Sequence, residues 1–228
     1  MKKIVFLVFS VFLSLTASAQ VFMTEVKPGA KMEYAYLDGN GKTLETITQT
    51  LISSSSVSEG TKMEIAMEMM VDGKKVSLPY SSILTSDKVI IGKEVITANS
   101  IIQQQSEVDV KVTGDDIVYP RRPKEGENLP SYKMDIIIGA LGMNITTNTE
   151  VNPRKCTKKE QITVPAGTYE AYVIEETATA SVKILGTTHK ESTSTVSWLV
   201  PDVGIVKQIS RDKNGKETGG MILNKISK

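Results

Sequence analysis

Cysteine and histidine are almost missing from this chain of 228 residues: Cys156 and His189 are the only ones of their kind. A lone cysteine closes no internal disulfide, so the fold has to stand on its buried core. Metal centres of the usual kinds want two or more Cys or His at short spacing, which one of each does not supply. A nucleophilic Cys156 would need a base beside it. Nothing local brings His189, set in the Thr-rich run "GTTHKESTST", to the thiol. Aromatic residues are only 5% of the chain, while branched aliphatics and Thr dominate. That composition suits a wide, twisted sheet better than a compact aromatic-cored sandwich. An excess of either charge is missing too: 27 Lys and Arg face 26 Asp and Glu, a net charge of +1. Such a chain carries no electrostatic footprint for nucleic acid. The basic clusters around Cys156, "PRK" and "KK", are interleaved with acids and read as a solvated face. There is no Gly-x-Ser-x-Gly elbow, no glycine-rich phosphate loop and no nucleotide fingerprint. The acidic pair Asp115-Asp116 in "VTGDDIVYP" lacks the spaced oxygen ligands of a calcium loop and reads as a solvated turn. The expectation is a protein without catalytic residues, metal or cofactor.

A long apolar run occurs once, at the start. "MKKIVFLVFSVFLSLTASA" has a basic beginning (Lys2, Lys3), a continuous apolar stretch from Ile4 to Leu15, and small residues at Ala17-Ser18-Ala19. This is the three-part layout of a secretory signal peptide cleaved after Ala19. The apolar stretch is too short for a bilayer span, which takes roughly 20 residues. No Cys follows the cleavage point, so lipid attachment there is not expected. No other segment approaches spanning length. The reading is a signal peptide over 1–19 and one exported domain over 20–228, soluble, in the periplasm or at the cell surface.

That domain reads as strands nearly throughout. "AKMEYAYLDGNGKTLETITQTLI" is an alternating strand, a turn on Asn40-Gly41, and a second alternating strand. "TKMEIAMEMMVDGKKVSLPYSSIL" repeats the plan around Asp72-Gly73, and "VGIVKQISRDKNGKETGGMILNKI" repeats it on Asn214-Gly215. Asn-Gly and Asp-Gly tolerate the positive φ that tight hairpins need. Strands also turn at Gly139 to Gly142. The stretch Thr97 to Ser106 fits a short helix or a strand equally. "YPRRPKEGENLPSY", from Tyr119 to Tyr132, is dense in proline and reads as an extended connection rather than a ladder strand. It marks where two halves of one sheet system meet, and Tyr119, Leu129 and Tyr132 give it residues that pack.

One strand carries a sharper possibility. Met63, Ile65, Met67 and Met69 fall on one side, with Glu64 and Glu68 on the other. Methionine adapts to irregular shapes, so this face could line a groove for an acyl chain or another apolar ligand. The alternative is ordinary core packing, because every half-buried strand needs such a face.

Three stretches of the second half belong together. They are "VTGDDIVYPRRPKEGENLP", "NPRKCTKKEQITVPAGTYEAYVIEE" and "SWLVPDVGIVKQISRDKNGKETGGMILNKI". Tyr119-Pro120 with Gly126, then Pro165, Ala166, Gly167 and Tyr169, then Trp198, Pro201, Gly204 and Val203 to Lys207 recur in a fixed order. In that order and spacing the chain resembles the TapB-like family of exported bacterial proteins of unknown function, themselves similar to envelope proteins with the YmcC-like fold. The likeness spans residues 112–226; the first half agrees in layout only. It implies an all-β fold with little helix: a single, strongly curved, mostly antiparallel sheet forming an open or half β-barrel. It implies no catalytic activity and no cofactor, and it supplies no functional residues. Pro165 and Gly167, like Pro201 and Gly204, are read as turn-making chemistry.

Three readings of function follow. The first is a non-catalytic exported envelope protein that binds an apolar ligand such as a lipid on the concave face of its sheet. The second is a structural or assembly component of the envelope that contacts another protein through a sheet edge or loop. The third is a carboxylate-based hydrolase, since paired carboxylates converge in space rather than in sequence.

Overall fold

The structure, a computed structural model, describes residues 26–71, 74–95, 108–140, 143–184 and 187–227. The leader over 1–19, the Asp72-Gly73 turn and the ambiguous stretch Thr97 to Ser106 lie outside those residues. Thirteen strands run in chain order: β1 (Lys31–Asp38), β2 (Thr43–Val57), β3 (Gly60–Val71), β4 (Lys74–Leu84), β5 (Lys88–Ile91), β6 (Val108–Gly114) and β7 (Ile117–Pro120). They continue as β8 (Tyr132–Ala140), β9 (Met143–Val164), β10 (Gly167–Ile184), β11 (Thr187–Val200), β12 (Gly204–Arg211) and β13 (Glu217–Ser227). All belong to one antiparallel sheet in the order β6-β8-β9-β10-β11-β12-β13-β1-β2-β3-β4-β5-β7. The sheet is not closed into a barrel, and helix among the described residues is limited to one short turn at 94–95. The all-β, open-barrel expectation therefore holds.

The hairpins form where the turn chemistry says they should. "DGNGK" (38–42) and "DKNGK" (212–216) fold alike. In each, the Asp carboxylate accepts hydrogen bonds from the backbone N–H of the Asn two residues on and of the Lys four residues on, at 2.8–3.0 Å. Gly41 and Gly215 supply φ of 81° and 80°, where a side chain would be strained. These backbone N–H bonds hold the Asp38 carboxyl below the usual carboxylate range. The two turns lie side by side, because β1 and β13 pair with Asp38 opposite Gly219.

The strand order has a consequence for shape. β6 and β7 are consecutive in the chain, linked by Asp115 and Asp116 alone, yet they occupy opposite ends of the sheet. A sheet whose two ends are tethered by two residues must curl until they meet. Both aspartates are exposed, as the sequence suggested, and each also bonds across that junction. Asp115 accepts from the Lys133 N–H at 2.9 Å, and Asp116 accepts from the Lys93 N–H and ammonium, each at 3.2 Å. The proline-rich connection is also more regular than expected. Tyr119 and Pro120 belong to β7, which pairs with β5; Pro120 is tolerated because this is an edge strand. Farther on, Asn128 bridges to Lys155, so residues 121–131 run as a strap beside β9. The curled sheet encloses one apolar cluster, to which almost every strand contributes.

Candidate functional site

The four residues Met63, Ile65, Met67 and Met69 do share one face of β3, as alternation requires. They are 1%, 1%, 0% and 3% exposed and belong to the common core cluster with Tyr80, Leu84 and Tyr34. Their side chains are covered by the protein's own atoms.

The turn motifs act on the curl of the sheet. Pro165 and Ala166 make a two-residue turn that closes the β9–β10 hairpin, with Val164 opposite Gly167. Gly167 has φ of 146°. Its tip lies on β13: the Ala166 N–H donates to the Leu223 carbonyl at 3.3 Å, and the Tyr169 hydroxyl donates back to the Ala166 carbonyl at 3.0 Å. The Pro201 turn joins β11 to β12, closed at Val200 opposite Gly204. Within it Asp202 adopts φ of 63°, a conformation unusual for a residue with a side chain. Its carboxylate accepts from Arg121 and, at 3.0 Å, from Arg122. The Arg121 guanidinium bond, reinforced by both arginine charges, keeps the Asp202 carboxyl below its ordinary range. Trp198 is half-buried on the sheet. Its indole N–H donates to Glu160 at 2.8 Å and the Lys207 ammonium sits 5.2 Å from its ring.

The most deeply buried ion pair among the described residues lies where the two ends of the sheet meet. The Arg154 side chain is fully buried and the Glu176 side chain nearly so. Arg154 Nε donates to Glu176 Oε1 at 2.6 Å. Arg154 Nη1 donates to the carbonyls of Val118 and Pro130 at 3.0 and 2.6 Å. The guanidinium stacks over Tyr119 and Tyr132 at 4.6 and 5.0 Å, and the Tyr119 hydroxyl donates to the Glu176 carboxylate at 3.2 Å. One group thus joins β7 and the strap to β8, β9 and β10. Burial works against the Arg154 charge, but Glu176 and the two tyrosines outweigh it and the guanidinium pKa rises. Burial, then the Glu176 charge, pushes the Tyr119 hydroxyl well above its normal range.

This cluster corrects the reading of the basic residues around Cys156 as a solvated face. Arg154, within "PRK", is not on a solvated face, although Lys155 is exposed. Glu176 is not on the polar side of its strand. For Arg154 a bulge on β9 reverses the alternation. On β9, Thr147, Thr149 and Val151 face inward; Asn152 and Pro153 then take the place of a single residue between Val151 opposite Ala178 and Arg154 opposite Glu176, one extra residue that shifts the register against β10. Arg154 and Cys156 turn inward as a result. On β10, which pairs with β11 without a shift, Ile174, Glu176, Ala178, Ala180 and Val182 alternate inward without a break, so Glu176 takes an inward position of a regular strand. The sequence signal for the bulge was Pro153, which cannot donate within a ladder.

Within the cluster Arg154 Nη2 is buried and donates no hydrogen bond. The Glu176 carboxylate is engaged by Arg154 and Tyr119, and its hydrogen bonds among the described residues bring no second carboxylate to it. Cys156 is buried, and burial followed by Glu125 and Glu127 raises its thiol pKa. His189 is exposed. Cys156 lies opposite Ile174 and His189 opposite Val182, roughly 26 Å apart along β10 at ~3.3 Å per residue. Among the described residues no group of three or more His, Cys, Asp or Glu is placed to hold a metal ion, and no helix is long and apolar enough to cross a membrane.

Set beside known proteins, residues 27–223 match the model of the DUF3108-like family. No curated protein matches the chain. Among solved structures, a predicted exported protein with a YmcC-like fold from Bacteroides fragilis superposes with a TM-score of 0.70 at 14% identity, covering 91% of this chain and 99% of that one. A predicted lipoprotein from Parabacteroides distasonis gives 0.70 and 14%, covering 90% and 98%. The hypothetical lipoprotein YmcC from Escherichia coli covers 97% and 95% at 10% identity, but its TM-score of 0.38 carries no weight. The fold implied by the Tyr-Pro, Pro-Ala-Gly and Pro-Asp-Val-Gly motifs is thus the fold observed. The family matched is DUF3108-like, and the TapB-like label rests on the motifs alone.

Proposed function

The chain belongs to the DUF3108-like family, and from that premise we propose that it is a non-catalytic exported protein of the cell envelope that works through contacts with other proteins. The observation carrying this reading is the sealed interior: the Met63–Met69 face is packed by the chain's own core. A lipid could occupy that face only by displacing buried side chains, each worth roughly 1.5–3 kcal/mol of burial. Export is supported by the tripartite leader and by the descriptions of the Bacteroides and Parabacteroides neighbours as an exported protein and a lipoprotein. A non-catalytic role is supported by Glu176, the one strongly buried carboxylate among the described residues, being held in an ion pair.

The test is native mass spectrometry of the protein purified from its own host, with cell fractionation of the same material. The expected result is a chain beginning at Gln20, found outside the cytoplasm and free of lipid. A lipid retained at one per chain would overturn the protein-contact reading in favour of an apolar carrier. A chain retained in the cytoplasm would overturn export.

A further inference from the structure

One stretch of the sheet is longer than its neighbour. β11 pairs with β12 only from Ser194 opposite Arg211 to Val200 opposite Gly204. Its first part, Thr187–Thr193, pairs with β10 on one side, and no described strand pairs with the other side. Thr187 to Lys190 are exposed and Glu191 to Thr193 half-buried. None of the ion pairs formed among the described residues uses His189, Lys190 or Glu191. A row of backbone donors and acceptors is therefore presented to solvent at this edge, the usual template for adding another strand.

The order of side chains says which strand fits. When two copies of one strand pair antiparallel about a twofold axis, some residue must lie opposite itself, because each opposed pair is its own centre of symmetry. Centring on Lys190 is the symmetric choice that uses all of Thr187–Thr193. It sets His189 opposite Glu191, Thr187 opposite Thr193 and Thr188 opposite Ser192, each twice. These are an imidazole donor facing a carboxylate and hydroxyls facing hydroxyls, all favourable cross-strand pairs. The single like pair, Lys190 opposite Lys190, sits on the exposed face at the ends of long flexible stems. Centring on Glu191 instead opposes two carboxylates and shortens the ladder.

We propose that the Thr187–Thr193 edge of β11 pairs with the same edge of a second copy of this chain, with the twofold axis at Lys190, so that one sheet continues across a dimer. The inference stands apart from the reading of function given above and survives its failure. A ladder of this length is smaller than a standard interface, so the association is weak and concentration-dependent.

Sedimentation velocity across a concentration series tests it, together with engineered cysteines. The native chain should shift reversibly from monomer to dimer. Glu191→Lys, which sets His189 opposite a lysine, should weaken association at least tenfold, and Lys190→Thr, which removes the like pair, should strengthen it several-fold. Under mild oxidation Lys190→Cys should yield a disulfide-linked dimer much faster than Ser181→Cys, its neighbour on β10 away from the edge. A chain that stays monomeric throughout, Glu191→Lys dimerising like the native chain, or Ser181→Cys linking as fast as Lys190→Cys would each overturn the proposal.

Discussion

Arg154 is the residue on which the rest of the molecule depends most visibly. Its charge is removed from water and compensated by Glu176, so taking away one partner strands the other in the core. Arg154→Met should therefore destabilise the protein by about 3–5 kcal/mol, whereas Arg154→Met with Glu176→Leu should recover most of that loss. Urea unfolding of the two single variants and the double variant checks this; equal losses in all three would mean the pair matters only for its packing. Asp202 is a different case, because its carboxylate is partly exposed. The arginines hold its folded-state pKa below the unfolded value. Its contribution is thus present above the ordinary carboxylate pKa of about 3.9 and is lost as pH falls through the depressed value. The native chain should exceed Asp202→Asn in denaturant midpoint at pH 7, and the gap should narrow on acidification towards pH 3. A gap that stays constant with pH would detach Asp202 from its arginines.

At the scale of elements, glycines separate into those needed for conformation and those needed for closeness. Gly41 has positive φ but open space around its Cα, whereas a Cβ on Gly220 would run into the backbone carbonyl of Gln208 on β12. Gly41→Ala should lose about 1 kcal/mol. Gly220→Ala should lose more, because two paired strands have to separate, and thermal unfolding of both variants gives the order directly. The paired turns "DGNGK" and "DKNGK" were readable beforehand because each carries its own cap: the Asp oxygen supplies the acceptor locally and needs no distant partner. Bulges are less readable. The inward turn of Arg154 comes from a register shift on β9, and a shift is defined only relative to the neighbouring strand.

On the scale of the whole molecule, the curled sheet is closed by contacts rather than by a ladder. The two-residue link Asp115-Asp116, the strap and the Arg154 cluster draw β7 onto β9 and β10. Tyr119 is the piece of β7 that reaches Glu176, so Tyr119→Ala should loosen that end first. Amide hydrogen exchange should accelerate in β5 and β7 while β9 to β11 stay protected, since local openings follow the contacts that hold a segment. Uniform acceleration everywhere would show instead that the seam is part of one cooperative unit.

The sequence by itself determined the strand content, the placement of the capped hairpins and the turns at Pro165 and Pro201, because alternation and turn chemistry are local properties of neighbouring residues. It also carried enough ordered motifs to imply the YmcC-like fold. Only the tertiary structure decided that Met63, Ile65, Met67 and Met69 are sealed, that Arg154 and Glu176 face inward, and that Asp202 holds Arg121 and Arg122. Those facts depend on how far the sheet curls and where its register slips, and both are set by contacts between strands distant in the chain.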